Sequence, residues 1–162
     1  MRSPGTTHLS VGATLSRAVR AAGRRSVNDM NDAAFDELIR ASESIFLERH
    51  GIAPFADVTV KEICASARLS ITEFCDAFAR HVAHEYWLGN LSFRGADVAM
   101  GALYGYVMDT YHVRLPSYAW EVYSAFDDGE YSHRDDPDGT DPEEKYTKRA
   151  IESLVTRDKI LG

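Results

Sequence analysis

Apolar residues along this chain recur at intervals of three and four over most of its length, the spacing that lines one face of an α-helix. From Asp32 to His50 the positions Phe35, Leu38, Ile39, Ser42, Ile45 and Phe46 form such a stripe, with Asn31 and Asp32 as candidate N-caps and Gly51 as the C-cap. Ile52 to Val58 contains Pro54 and has no helical period, so it reads as a connector. A second helix, capped by Thr59, runs through Val60, Ile63, Cys64 and Ala67, and Leu69 and Ser70 form a turn. Ser70 then caps a third helix, with Glu73 three residues on to complete a capping box and with Phe74, Ala77, Phe78 and Val82 along the inner face. That helix runs toward Leu88.

Gly89 and Asn90 break the pattern before Ser92 opens a fourth helix, striped by Ala96, Ala99, Met100, Leu103, Tyr104 and Val107. Gly95, Gly101 and Gly105 weaken its helix propensity by about 1 kcal/mol each relative to alanine, which points to close packing against a neighbour. A fifth helix begins at Pro116, carries Tyr118, Ala119, Val122, Tyr123 and Phe126 inward, and ends near Asp127 to Gly129. An acidic loop over 127–144 follows, and a last helix runs from Pro142 to about Val155. Trp87, Trp120, Tyr118, Tyr123 and Phe126 read as core, because aromatic residues at helical spacing normally pack.

The expected fold is therefore all-α, a bundle of five or six helices containing a helix-turn-helix. Residues 1–29 are rich in Ser, Thr, Gly, Ala and Arg and contain no aromatic side chain, apart from a short helical pattern near Ala13 to Ala22. They read as a disordered basic tail ahead of one helical domain over 30–162, in which 30–82 holds the helix-turn-helix and 83–162 the acidic loop. A length of 162 residues allows one domain with a modest core. No apolar run approaches the roughly 20 residues needed to cross a bilayer, so no membrane role is expected. Cys64 and Cys75 lie outside any CxxC pattern and the N-terminus lacks a secretory layout, so the expected compartment is the cytoplasm, with both thiols free.

Charge changes the picture. Residues 1–29 hold five arginines against Asp29, a net +4, so the −7 of the whole chain leaves −11 from Met30 onward. A body of that sign repels nucleic acid phosphates, and DNA binding would need a local basic patch. Between Asp127 and Glu144 nine carboxylates face a single arginine. Asp136, Asp138 and Gly139 do not have EF-hand spacing. The segment fits a different role, that of steering a basic protein partner, as small acidic immunity proteins do with nuclease toxins; Asp135, Asp136, Asp138 and Asp141 are the candidate contacts. His81, His84 and Glu85 share a helix edge but have no evident fourth metal ligand, and no nucleophile elbow, P-loop or dinucleotide fingerprint is present. No cofactor, metal or enzymatic activity is expected.

The segment Thr59-Val60-Lys61-Glu62-Ile63, then Ala67, Leu69-Ser70, Phe74 and Phe78, resembles the helix-turn-helix of TetR-family repressors, and Phe46 and Gly51 resemble the aromatic and glycine that precede it. The resemblance covers about fifty residues and implies a DNA-binding transcriptional regulator, a two-fold homodimer, and a third helix whose first turn enters the major groove. Arg68 stands where that family has glycine, and Ile71, Cys75 and Asp76 stand where it shows lysine, tyrosine and a basic residue. Lys61, Arg68, Ser70, Thr72 and Arg80, with His81 beside them, are then the candidate DNA contacts. The C-terminal half, including Asp141-Pro142-Glu143-Glu144-Lys145-Tyr146-Thr147, is faintly similar to small bacterial proteins without an assigned role. Two function classes stand open: a DNA-binding regulator and a non-enzymatic, partner-binding acidic protein.

Overall fold

The computed structural model describes residues 27–161; of the tail expected over residues 1–29, residues 1–26 lie outside them, and 27–29 belong to the first helix instead. Six helices follow one another: α1 (Val27–Arg49), α2 (Asp57–Ala67), α3 (Ile71–Trp87), α4 (Phe93–Tyr111), α5 (Ser117–Asp127) and α6 (Lys148–Leu161), the last entered through a π-helical turn over Glu143–Thr147. Among the described residues no strand occurs, and no helix is long and apolar enough to cross a membrane. The all-α bundle with its helix-turn-helix is as the periodicity implies.

The bundle is organised around α3. Its capping box forms: Ser70 Oγ accepts from the Glu73 amide at 3.3 Å, and the Glu73 carboxylate accepts from the Ser70 amide at 2.8 Å, so two orphan donors are satisfied at the start of the helix. Phe74, Cys75, Phe78, Ala79, Val82, Ala83 and Tyr86 are all buried along half its circumference. Phe78 meets Phe35 of α1 edge-on at 5.5 Å and Phe55 of the connector at 5.2 Å, and Phe35 also meets Phe74 at 5.9 Å. At the far end Tyr86 meets Phe126 of α5 edge-on at 5.1 Å. These quadrupole-favoured contacts join α1, the connector, α3 and α5 in one core.

Two of the α4 glycines admit the connector closely. A Cβ on Gly101 would lie 2.8 Å from Ile52, and one on Gly105 would lie 3.3 Å from Pro54. A Cβ on Gly95 would collide with Glu43 of α1. The weak helix propensity of α4 is thus the consequence of a tight approach from α1 and the connector.

Several local expectations are corrected. α1 starts at Val27, so Asn31 and Asp32 lie inside it and do not cap it. His50, with φ of 53°, takes the left-handed conformation expected at Gly51. α2 begins at Asp57 behind Ala56, which makes no side-chain cap, so Thr59 is inside the first turn and is not the cap. Pro116 is the residue before α5, and its missing cap is supplied from α3: Asp76 accepts from the Ala119 amide at 3.0 Å. Trp87 and Trp120 are not core but 40% and 42% exposed, whereas Tyr118 and Phe126 are buried as expected. Periodicity places a residue on a helix, but the depth to which that helix sinks depends on its neighbours.

Truncating Phe74 or Phe78 to alanine should cost about 3–5 kcal/mol each, the range for large aromatic deletions in a packed core. Urea unfolding checks this, and a midpoint near that of the parent for either variant would place that ring outside the core.

Candidate functional site

The first candidate surface is the helix-turn-helix, α2 and α3 joined by Arg68, Leu69 and Ser70. Arg68 has φ of 58° and ψ of 41°, the left-handed region in which glycine carries no Cβ penalty, and its amide closes α2 onto the Cys64 carbonyl. Arg68 and Thr72 are exposed. The Ser70 hydroxyl is engaged in the capping box. Lys61 pairs with Asp57 one turn earlier at 2.7 Å, and Asp57 also accepts from the Tyr106 hydroxyl of α4 at 3.0 Å. Arg80 pairs with Asp158 of α6 at 3.2 Å and lies over the Tyr118 ring at 4.5 Å. Asp158 also accepts from Tyr118 at 2.6 Å and stands 3.5 Å from His84, so one carboxylate gathers groups from α3 and α5 onto α6.

The structure therefore brings Arg68, Ser70 and Thr72 together at the turn and pairs the still-exposed Lys61 and Arg80 with Asp57 and Asp158 at the surface. Cys75 is buried, where burial pushes its thiol up to about 12, and Asp76 caps α5. α2 also leans more on α1 than on α3. His81 turns from its neighbours to Asp36 of α1 at 2.8 Å, and Glu85 turns to Asn90 at 3.0 Å, so the His81, His84 and Glu85 edge diverges to three partners. Among the described residues no group of three or more His, Cys, Asp or Glu side chains is placed to hold a metal ion.

The second candidate surface is the acidic segment, which is more ordered than its composition implies. Asp136 is not available to a partner: its side chain is only 3% exposed, and it accepts from the His133 amide at 3.1 Å, the Tyr146 hydroxyl at 2.6 Å and Lys145. Those donors, Lys145 foremost, hold its carboxyl down at about 2. Asp141 accepts from the Glu143 amide at 3.0 Å, so it helps start the last helical segment. Asp135 and Asp138 are exposed and make no ion pair among the described residues. Of the four candidate carboxylates only Asp136 is withdrawn from the surface; Asp135, Asp138 and Asp141 are exposed, Asp141 while accepting from the Glu143 amide. Thr147, at the end of the π turn, is buried; its hydroxyl donates to the Ala125 carbonyl at 2.7 Å and lies where a Cβ on Gly129 would fall.

A third group is not evident from the charge pattern. Asp97 interrupts the apolar stripe of α4 and comes within hydrogen-bonding reach of Glu130, with Asp127 nearby. Burial first, and then the adjoining carboxylates, push Asp97 up to about 7. Tyr104 stacks on Tyr123 at 4.8 Å, and the exposed Trp120 lies 5.6 Å from Tyr123. Burial and then the Asp127 charge raise the Tyr123 phenol as well. The sequence signal was a carboxylate inside an apolar stripe, but its partners lie about thirty residues away. Compared with known proteins, the chain matches no family model, no curated sequence and no solved structure.

Two outcomes follow. Arg68→Gly should stabilise the chain by about 0.5–1 kcal/mol, because removal of the left-handed Cβ clash outweighs the added freedom of the unfolded chain; equal denaturation midpoints would show that Arg68 carries no strain. Asp97 retains in the folded state a proton that it loses near 3.8 when unfolded, so its contribution to stability falls as pH rises from about 4 to about 7. Asp97→Asn keeps a donor toward Glu130 and should be about 1–2 kcal/mol more stable than the parent at pH 8, with solvent screening taking up the rest, and little different at pH 4. Thermal midpoints at both pH values check the sign.

Proposed function

We propose that this chain is a non-enzymatic acidic helical protein that binds a basic protein partner, in the manner of immunity-type proteins. The observation that carries this reading is the distribution of unpaired charge. Lys61 and Arg80, two of the cations on the helix-turn-helix, are neutralised by the chain's own Asp57 and Asp158, while Asp135 and Asp138 face outward unpaired among the described residues. Carboxylates that outnumber the one local arginine, Arg134, leave a negative potential that speeds the approach of a cationic surface. The exposed Trp120 and Tyr131 supply the aromatic area that protein interfaces favour. In this reading α2 and α3 are a packing unit, since a helix-turn-helix does not by itself imply DNA binding.

A second reading, a TetR-like DNA-binding regulator, is favoured by one observation: Arg68 and Thr72 stand exposed at the first turn of α3, which a capping box orders. This reading needs a homodimer to present two such turns to successive major grooves.

Retention of the full chain on random and genomic DNA fragments at two salt concentrations separates the two. The partner reading expects no retention even at low salt. It also expects Asp135→Asn with Asp138→Asn to slow association with a captured basic partner by about 3–10-fold at low ionic strength, and less at high. DNA retention at low salt that is lost in Arg68→Ala or Thr72→Ala would overturn it in favour of the regulator.

A further inference from the structure

The seam between α4 and α5 brings an aromatic ladder and a set of carboxylates onto one face. On α4, Asp97 and Tyr104 stand two turns apart, and both are half-buried. On α5, Trp120, Tyr123 and Asp127 follow at i, i+3 and i+7, with Trp120 42% exposed and the other two half-buried. The helices meet antiparallel along these stripes. Tyr104 stacks on Tyr123 at 4.8 Å, and two turns away Asp97 comes within hydrogen-bonding reach of Glu130, just past the end of α5. Trp120 completes the ladder at 5.6 Å from Tyr123 and 6.4 Å from Tyr104. Each stripe is about 10 Å long, so rings and carboxylates lie within the span of two side chains of a partner.

Among the described residues no lysine, arginine or histidine pairs with Asp97, Asp127 or Glu130, and no cationic side chain lies over Tyr104, Trp120 or Tyr123. Elsewhere on α5 the chain completes the same arrangement from within. Tyr118 carries the Arg80 guanidinium over its ring at 4.5 Å and that of Arg157 at 5.6 Å, while Asp158 pairs with Arg80 at 3.2 Å and accepts from the Tyr118 hydroxyl. Ring, carboxylate and guanidinium stand together there; at the seam, rings and carboxylates stand without the guanidinium. Burial and the adjoining carboxylates push Asp97 up to about 7, the mark of a carboxyl that has no counter-charge. We infer that the α4–α5 seam binds an arginine-bearing segment of the basic partner, its guanidinium groups stacked on the Trp120 and Tyr123 rings and paired with Asp97, Asp127 and Glu130. Arginine suits both ends, because its planar head stacks on a ring and presents two parallel N–H donors to a carboxylate, which the lysine ammonium does not. This inference rests on the partner-binding reading and names the group the partner brings. Glu130 leads directly into the segment of Asp135 and Asp138, which speed the encounter while the seam holds the complex.

The test uses the full chain and a labelled synthetic peptide of about twelve residues, alternately arginine and glycine, followed by fluorescence anisotropy. A second peptide carries lysine at each arginine position. The arginine peptide should bind at least about fivefold more tightly than the lysine peptide. Trp120→Ala, at an exposed position, should weaken the arginine peptide about 3–10-fold and bring the two peptides level. Glu130→Gln should weaken both about 3–10-fold and reduce their salt dependence. Glu130, Asp127 and Tyr123 are the titratable groups that face Asp97, and a bound cation favours its ionised form. Affinity for the arginine peptide should therefore rise about 3–10-fold from pH 6 to pH 8, and Asp97→Asn should remove that rise.

Absence of binding at low salt would overturn the inference, as would binding indifferent to both Trp120→Ala and Glu130→Gln. Two other occupants are separately visible, and either would overturn it. Amides within residues 1–26 that are protected in the peptide-free chain and released by Trp120→Ala would assign the seam to the chain's own N-terminal segment. A doubling of sedimenting mass that Trp120→Ala reverses would assign it to a second copy. If Asp135→Asn with Asp138→Asn still slows peptide association while the seam variants have no effect, the seam inference falls and the partner reading stands; if neither set of variants changes association, the partner reading falls with it.

Discussion

The edge-to-face cluster of Phe35, Phe55, Phe74 and Phe78 is the contact on which the rest of the fold depends. It fixes α3 against α1 and the connector at one end, while Tyr86 and Phe126 hold the other end against α5. A helix buried along half its circumference cannot also offer that half to a ligand. Its remaining arc is divided between the capping box at Ser70 and Glu73 and the Asp158 cluster that gathers Arg80, His84 and Tyr118. α3 therefore acts first as the axis of a bundle, with Thr72 and Glu73 at its opening turn, Arg80 in its middle and Trp87 at its end facing outward.

The same economy governs the charges. A chain with eighteen basic and twenty-five acidic side chains has too few cations to neutralise its carboxylates, and three of its cations hold a carboxylate in place. Lys145 anchors Asp136 beneath Tyr146, Arg80 anchors Asp158 beside Tyr118, and Lys61 anchors Asp57 at the start of α2. Among the described residues the surface carries unpaired charge of both signs, Asp135, Asp138, Glu37 and Glu62 as well as Arg68, Arg114 and Arg134, with carboxylates in excess over the whole chain. The crowding of Asp97, Glu130 and Asp127 shows the same excess within the fold, where one carboxyl keeps its proton toward neutral pH.

Much of the architecture was legible beforehand because its signals are local. The stripe from Phe35 to Phe46, the Ser70 and Glu73 pair, and the glycines of α4 each report on neighbours within one or two helical turns, and the helices stand where those signals put them. Boundaries were less legible: α2 starts three residues earlier than a cap at Thr59 implies, and α5 takes its cap from Asp76, forty-three residues before Ala119. No local pattern can report a cap that arrives from another helix.

The candidate sites separate along the same line. Sequence alone determined which residues could serve: the cations near the turn, the carboxylates of 127–144, and the excess negative charge of the body. Tertiary structure alone decided which of them are free. It turned Arg80 to Asp158, sank Asp136 beneath Tyr146 and brought Glu130 to Asp97. The physical reason is that helix formation is set by neighbours within about four residues, whereas the pairing, burial and exposure of a side chain are set by whichever distant helix packs beside it.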